Sequence, residues 1–315
     1  MTKRATCSID GVLLLDKPVG PSSTRVLGHV KHLLNAAKAG HGGTLDPMAS
    51  GLLPLMFGEA TKYAAHGLDA DKTYEAQIAL GSRTTTADRE GEVIAQAAVP
   101  DTLSREQINA VLARFTGPQD QVPPMHSALK KNGKALYAYA RTGQTVERTP
   151  RRIIIHAIAL TEWASPLIGI RVGCSKGTYI RTLAEDIGQA LGLPAHLHSL
   201  RRVAVGDLQA HDMVALSAIE QADPSDREAF LKPVDWLIRD WPAVVLDRPQ
   251  EHQFVHGQAV TVTMTMATPR MATGDGAHTT HQQVRVQNRQ GVFLGTGRIA
   301  AQRVLHPERL RVLSS

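Results

Sequence analysis

The sequence predicts an α+β protein whose core is a mixed β-sheet flanked by helices. Apolar and polar residues alternate over residues 73–80 and again over 168–174, which is the period of half-buried strands. Apolar residues recur at helical spacing after Ser22 and after Ser104, a residue type that favours helix N-termini. These strands and helices follow one another without a repeating βαβ unit, which favours a mixed sheet.

Length and composition divide the chain and limit its chemistry. A chain of 315 residues suggests about two domains, and we expect a larger one over residues 1–243 and a small β-rich one over 244–315. The two cysteines, Cys7 and Cys174, and the absence of CxxC and HExxH motifs argue against a disulfide scaffold and a zinc site. For this reason we expect no metal. The first residues lack an apolar signal core, so we also expect a cytoplasmic protein.

The first half of the chain begins with a short strand and a helix. Residues 12–15 are apolar and end at Asp16-Lys17-Pro18, a turn signal. The helix after Ser22 keeps one apolar face through residues 26–34. In the strand over 73–80 the inward face begins with Tyr74, so this tyrosine lies near a strand end.

Asp46 has unusual neighbours, because residues 40–51 contain four glycines, a histidine and a proline. Glycines allow a close backbone approach to a ligand, and Pro47 biases Asp46 toward an extended backbone that presents its carboxylate. The nearest acids in sequence are Asp16 and Glu59, so a local pair of hydrolytic carboxylates is absent. The alternative reading is an ordinary Asp-Pro turn with an Asx-type hydrogen bond.

The excess positive charge is concentrated in one segment. The net charge is +6, and residues 121–152 hold seven of the Lys and Arg residues but only one acid, Glu147. A cluster of this kind is typical of a protein that binds a polyphosphate, and Tyr137 and Tyr139 offer stacking surfaces. A solvated basic loop is the alternative.

Arg181 is a charged residue that the sequence places at the start of a helix. Ser104 and Gln107 have the spacing of a capping box, and a later strand over 168–174 turns into a helix whose first turn contains Arg181. The helix dipole disfavours a cation there, so a nearby anion is expected. Pairing with Asp46 would satisfy both residues, although a hydrated surface arginine remains the alternative.

Seven separated stretches resemble motifs of the TruB family of tRNA pseudouridine synthases. They are GVLLLDKPVGPSS (11–23), GHGGTLDPMASG (40–51), KTY (72–74), PPMHSALK (123–130), LYAYAR (136–141), CSKGTYIRT (174–182) and HSLRR (198–202). The match is specific through residue 202 and thin in the tail, where residues 294–297 and 306–310 resemble a PUA-like domain. The sequence departs at Gly42 and Gly43, where the family more usually has threonine and then glycine.

The resemblance implies a pseudouridine synthase fold with a largely antiparallel sheet, a basic insertion over 121–152 and a PUA-like domain at the C-terminus. It implies isomerisation of the uridine at position 55 in the T loop of tRNA, without cofactor or metal. Asp46, Arg181 and Tyr74 are then the expected catalytic residues. The expected substrate contacts are His41, Tyr74, Tyr179, Leu200, Lys17, Lys130 and Arg141.

Three further expectations accompany this reading. The target base has to be flipped out of the RNA, and His41 is expected to fill the space that it leaves. The protein is expected to act as a monomer on the tRNA T stem-loop, and residues 267–283 are expected to form a loop in the small domain. The alternative function is a non-catalytic tRNA binder or tRNA-folding chaperone.

Overall fold

The structure is a computed structural model that describes residues 9–262, 282–300 and 303–312. In chain order, its strands are β1 (Gly11–Lys17), β2 (Ala39–His41), β3 (Ala49–Phe57), β4 (Lys72–Leu80), β5 (Ser82–Thr84), β6 (Val93–Gln96), β7 (Gly117–Gln121), β8 (Lys130–Lys131), β9 (Lys134–Ala135), β10 (Arg151–Ala164), β11 (Leu167–Cys174), β12 (Ala195–Val205), β13 (Leu208–Gln209), β14 (Val214–Ala215), β15 (Ala243–Leu246), β16 (Val260–Thr261), β17 (Gln282–Asn288), β18 (Phe293–Ala300) and β19 (Val304–Leu310). Its α-helices are α1 (Ser23–Leu33), α2 (Ala64–Asp69), α3 (Arg105–Ala113), α4 (Leu136–Ala140), α5 (Ile180–Ala190), α6 (Leu216–Gln221) and α7 (Arg248–Val255).

Ten strands of the described residues form the central sheet. Eight follow the order β14-β1-β3-β12-β4-β11-β10-β7, while β2 pairs with β3 and β13 pairs with β12. The β1–β14 and β3–β12 pairs are parallel, and the other pairs of this sheet are antiparallel. The predicted mixed, largely antiparallel sheet is therefore confirmed.

Local signals in the sequence position the helices as expected. The Ser22 hydroxyl accepts a hydrogen bond from the backbone N–H of Arg25 and caps α1. Ser104 and Gln107 form the predicted capping box of α3. The apolar side chains of α1, α3 and α5 are buried in one core cluster with the sheet, so these helices pack against it.

Strand β12 brings the distant parts of the site together. It lies between β3 and β4, and Arg202 in it pairs with Gly51 on one side and Tyr74 on the other. The loop before β3, which carries Asp46, therefore lies beside the start of β4. Strand β11 is the other neighbour of β4 and leads directly into α5, so Arg181 reaches the same edge of the sheet.

A second sheet of five strands follows the central one, in the order β15-β17-β18-β19-β16. Its own core includes Phe254 and Leu294, while Phe293 packs edge-on against Tyr63 of the larger body with ring centroids 5.7 Å apart. This is the β-rich C-terminal unit that the sequence predicted. The domain division at residues 243 and 244 stays a prediction, and the second sheet begins one residue earlier, at Ala243.

The predicted loop over residues 267–283 falls mainly outside the described residues. Its last two positions, Gln282 and Gln283, are part of β17, so the loop prediction is wrong for them. Both pair with β18, and the alternation of Val284 and Val286 into the core extends this strand to Asn288. No described helix is long and apolar enough to cross a membrane.

Candidate active site

A cavity of about 320 Å³ opens at the edge where β4, β12, α5 and the loop before β3 meet. The lining side chains come from segments that are far apart in sequence. They are Gly43, Thr44, Leu45, Asp46, Leu68, Lys72, Tyr74, Ser127, Ala128, Leu129, Ser175, Gly177, Thr178, Tyr179, Ile180, Arg181, Leu200 and Arg202. The predicted residues Asp46, Tyr74, Tyr179, Arg181 and Leu200 thus surround one space.

Asp46 and Arg181 form an ion pair in this cavity. The Arg181 Nε lies 3.0 Å from the Asp46 Oδ2, and the arginine side chain is only 5% exposed whereas the aspartate side chain is 37% exposed. The structure thus excludes the alternative of a hydrated surface arginine. It also gives the Asp46 carboxylate a partner beyond its own turn. A buried cation therefore holds an acid that remains open to a ligand.

Besides Asp46, two backbone carbonyls and a second carboxylate surround the Arg181 guanidinium. Its NH1 donates to the carbonyl of Thr86 at 3.2 Å, and its NH2 donates to that of His126 at 2.7 Å. A second acid, Asp88, approaches the Nε at 3.8 Å. Two carboxylates thus offset the unfavourable position of a cation in the first turn of α5.

Asp88 is a site residue that the sequence reasoning missed. Its side chain is 7% exposed, and its Oδ1 accepts hydrogen bonds from the Thr86 hydroxyl at 2.6 Å and from the backbone N–H of Glu90 at 3.0 Å. The available signal was an acid shortly after three consecutive threonines at the end of β5, because Thr and Asp side chains commonly form hydrogen bonds within such turns. The sequence separation between Asp88 and Asp46 gave no indication that both acids would contact Arg181.

The charges of the site oppose one another at Asp46. Burial raises the pKa of the Asp46 carboxyl above its ordinary value, and the guanidinium of Arg181 lowers it, while Asp88 raises it further. Lys17 also lowers it. The ion pair with Arg181 therefore keeps available the ionised form that burial alone would disfavour.

Lys17 lies behind the loop, outside the lining of the cavity. Its side chain is fully buried, and its Nζ donates to the carbonyls of Pro18 at 2.9 Å and Ala49 at 2.7 Å. Burial lowers the pKa of Lys17 to about 8, against an opposing effect of Asp46. These contacts assign it to supporting the loop, and the predicted contact with substrate stays a prediction.

The loop that carries Asp46 is fixed from both sides. Ser23, in the first turn of α1, donates from its hydroxyl to the Leu45 carbonyl and accepts from the Leu45 N–H. At Gly51 the backbone has φ +98°, and a Cβ there would overlap the backbone of Arg202. Only glycine allows β3 and β12 to approach this closely, which keeps the loop against the cavity.

Tyr74 lines the cavity from the start of β4. It is 9% exposed, and burial raises the pKa of its phenol, partly opposed by Arg202, so the ring is neutral at ordinary pH. Arg202 is itself only 1% exposed and donates to the carbonyls of Leu52 at 2.7 Å and Gly43 at 3.4 Å. Arg202 is part of the HSLRR motif, but the sequence did not predict that its buried side chain would connect the loop that carries Asp46 with the strand next to Tyr74.

Tyr179 and Leu200 line the cavity as predicted, whereas His41 lies next to it in β2. The Nδ1 of His41 is buried and has no hydrogen-bond partner among the described residues. Burial lowers the pKa of this imidazole, and Arg202 lowers it further. His41 is therefore neutral at pH 7 and can pack against a base without carrying a charge.

The basic insertion stands beside the cavity, and Lys130 and Arg141 are exposed on it. Of its seven cations, only Arg152 contacts a carboxylate in the described part of the chain, that of Asp120 at 3.7 Å. Two of the others lie over its tyrosine rings, Lys134 over Tyr139 and Arg141 over Tyr137. The segment thus presents positive charge and aromatic faces together.

The residues that the structure describes contain no group of three or more His, Cys, Asp and Glu side chains that could hold a metal ion. The exposed pair His252 and His256, whose rings are 4.4 Å apart, belongs to no such group. The cavity therefore offers an acid, an arginine, aromatic rings and hydroxyls.

Comparisons with known proteins agree on one family. Residues 31–180 match the model described as "TruB family pseudouridylate synthase (N terminal domain)". Residues 181–239 match "tRNA pseudouridylate synthase B C-terminal domain". Residues 242–310 match "Pseudouridine synthase II TruB, C-terminal".

Individual proteins show the same likeness. The chain is 52% identical over 312 residues to tRNA pseudouridine synthase B of Burkholderia mallei (strain NCTC 10247), which covers 99% of each chain. Among solved structures, a Cbf5-Nop10-Gar1 complex contains a chain that is 26% identical, with a TM-score of 0.68 and coverage of 95% of this chain and 84% of that one. An H/ACA RNP bound to a substrate RNA containing 2′-deoxyuridine gives 25% identity, a TM-score of 0.69 and coverage of 96% and 85%. The chain belongs to the TruB family of pseudouridine synthases.

Proposed function

We propose that this protein converts the uridine at position 55 in the T loop of tRNA to pseudouridine. The observation that carries the proposal is the Asp46 carboxylate, held by the buried Arg181 in a cavity that also contains Tyr74 and Tyr179. The relative from Burkholderia mallei bears the name tRNA pseudouridine synthase B, and it resembles this chain over its whole length.

The reaction requires what this cavity offers. The C1′–N1 bond of the uridine breaks, the uracil rotates, a C1′–C5 bond forms, and the hydrogen of C5 is replaced by one on N1. The change involves no net oxidation, so no redox cofactor is needed. A carboxylate can add to C1′, add to the base or remove a sugar proton, and each route needs the ionised acid that Arg181 stabilises.

The remaining residues fit the handling of a flipped base. A uridine inside a folded loop has to leave its stack, at a cost of a few kcal/mol. In this proposal Tyr74 stacks on the uracil, Leu200 and Tyr179 enclose it, and neutral His41 packs where the base was in the RNA; the first three line the cavity, which supports these roles. Stacking of a base on an aromatic ring is worth about 1–3 kcal/mol, so it can offset much of that cost.

The insertion is suited to hold the RNA backbone. Lys130 and Arg141 are exposed, have no carboxylate partner among the described residues and project from the same segment that lines the cavity. Phosphate contacts of this kind depend on salt, because binding releases counterions. Within this proposal residues 1–243 form the catalytic domain and 244–315 the PUA-like domain, and the protein acts as a monomer in the cytoplasm.

The test is incubation of the purified protein with a T stem-loop RNA, followed by mapping of pseudouridine. We expect pseudouridine at the single target position, and none in a matched RNA that carries cytidine there. Tight binding of the first RNA without any pseudouridine would refute the enzyme and favour a tRNA-binding chaperone. No observation favours that alternative, since Asp46, Tyr74 and Arg181 are present together in the cavity.

A further inference from the structure

Ser127 is a buried polar residue of the cavity that the proposed chemistry does not use. It is 6% exposed, it lines the cavity, and its hydroxyl has no hydrogen-bond partner among the described residues. Its backbone is satisfied, because its N–H donates to Met125 and its carbonyl accepts from Tyr137. The side chain is thus the part of Ser127 without a hydrogen bond of good geometry, although it lies near the Tyr179 hydroxyl. A serine oxygen beside one such neighbour can still accept a hydrogen bond from a ligand.

Several other polar groups on the cavity wall already have partners. The Lys72 ammonium donates to two backbone carbonyls, the Thr178 hydroxyl donates to one, and the Arg202 guanidinium donates to two. Arg181 is occupied by its ion pair and two carbonyls. Ser127 differs from these residues because its hydrogen-bonding capacity is left for whatever enters.

A uracil in the cavity has a group that needs such a partner. Its N3–H is a donor that loses water when the base is flipped into a dry pocket, and a serine oxygen can accept from it. The N3–H also has a special position in the reaction. When the detached uracil turns over about the axis through N3 and C6, N1 and C5 exchange places, O2 and O4 exchange places, and N3 stays where it was.

We propose that the Ser127 hydroxyl accepts a hydrogen bond from the uracil N3–H and holds the detached base on its axis of rotation. Ser127 is then a catalytic residue whose contact matters most while the base is detached, because the glycosidic bond no longer holds the base at that stage. The proposal rests on the proposed function, because it requires a uracil in the cavity. It concerns a side chain for which neither the sequence nor the ion pair of Asp46 suggested a role.

The position of Ser127 in the insertion gives this contact a further consequence. The preceding residue, His126, accepts a hydrogen bond through its carbonyl from Arg181 at 2.7 Å, and the two residues after Ser127 also line the cavity. The segment that offers charge to the RNA thus supplies both an anchor for the catalytic arginine and the contact to the base.

The experiment compares Ser127→Ala with the wild-type protein on a T stem-loop RNA. One neutral hydrogen bond corresponds to about a 3- to 10-fold change, so we expect the single-turnover rate to fall by that factor while RNA affinity stays within about 2-fold. Ser127→Thr, which keeps the hydroxyl, is expected to restore part of the rate. The control is Ser199→Ala, because Ser199 bonds the Gln77 side chain at 3.0 Å outside the cavity, and its rate is expected to match wild type.

A second variant separates a contact with the base from an effect on Tyr179. Ser127 lies near the Tyr179 hydroxyl and lowers the pKa of that phenol, which burial raises more strongly. If Ser127 acted only through that group, its substitution would have no effect in a Tyr179→Phe background. We expect the same 3- to 10-fold loss there. A wild-type rate in Ser127→Ala, or a loss that vanishes in the Tyr179→Phe background, would overturn the proposal, whereas absence of pseudouridine from the wild-type protein would refute the function itself.

Discussion

Replacing Arg181 by lysine keeps the charge and removes the planar fork. In the structure the guanidinium contacts Asp46 through Nε, Thr86 through NH1 and His126 through NH2, at 3.0, 3.2 and 2.7 Å. One ammonium cannot reach the carboxylate and both carbonyls in these directions. Lysine therefore either holds Asp46 and leaves two buried carbonyls unpaired, or satisfies a carbonyl and releases the acid.

The expected loss follows from these contacts. A hydrogen bond to a charged group contributes about 1.5–3 kcal/mol, which corresponds to about a 10- to 160-fold decrease in rate if the bond orients the carboxylate during reaction. A second effect concerns pH. Burial raises the pKa of Asp46 and Arg181 opposes that rise, so a weaker partner leaves the pKa higher. Because the ionised acid is the active form, activity is lost as pH falls through this pKa, and the loss begins at a higher pH in Arg181→Lys.

The assay is single-turnover release of tritium from C5 of the target uracil, measured across pH with saturating enzyme. A matched control is Arg171→Lys, because Arg171 pairs with Glu75 at 2.8 Å while both side chains are about half exposed. Exposed ion pairs contribute little, so the control is expected to keep the wild-type rate. If Arg181→Lys reacts at the wild-type rate with an unchanged acid limb, the argument that the fork orients and ionises Asp46 is refuted.

Three further predictions follow from the same geometry. In Asp88→Asn the like charge that raises the pKa of Asp46 is removed, so the acid limb of the pH–rate profile is expected to move to lower pH, opposite to Arg181→Lys; a shift in the same direction would contradict the charge assignment. Gly51→Ala is expected to lower the free energy of unfolding by at least about 2 kcal/mol more than Gly133→Ala in denaturant titrations. Both glycines have positive φ, but only Gly51 has backbone in the way, so equal losses would contradict the close strand approach. Removing two exposed cations of the insertion, Lys130 and Arg141, is expected to weaken RNA binding and to reduce the slope of log Kd against log salt concentration by about 0.7 to 0.9 per cation. An unchanged slope would exclude phosphate contacts by these two residues.

Much of the architecture was accessible from the sequence because its signals are local. The alternation that begins at Tyr74, the cap at Ser22 and the capping box at Ser104 each correspond to a strand or helix of the structure, with β4 starting one residue earlier than predicted, at Lys72. The Asp46–Arg181 pair was also accessible, since a cation in a first helical turn needs an anion and an acid among glycines needs a reason. Each of these inferences starts from one residue or one short segment and does not require knowledge of the tertiary structure.

The features that the sequence could not supply depend on distant contacts. Asp88 reaches Arg181 only because its turn is hydrogen-bonded to β12 at Leu197, a pairing that no local period predicts. The sequence places Lys17 in a predicted turn, whereas in the structure its side chain is fully buried behind the loop that carries Asp46. Ser127 reads as one residue of a basic loop, and its unpaired hydroxyl is visible only once the cavity around it is known.

The most direct test of the central claim is Asp46→Asn on a T stem-loop RNA, with binding and pseudouridine formation measured on the same complex. The amide has the size of the acid and lacks its charge, and the insertion that we propose holds the RNA is unchanged. The account predicts that pseudouridine formation is abolished while RNA affinity stays within a few-fold of wild type. Pseudouridine formed at an appreciable rate by Asp46→Asn would contradict the claim that this carboxylate, ionised beside Arg181, performs the reaction.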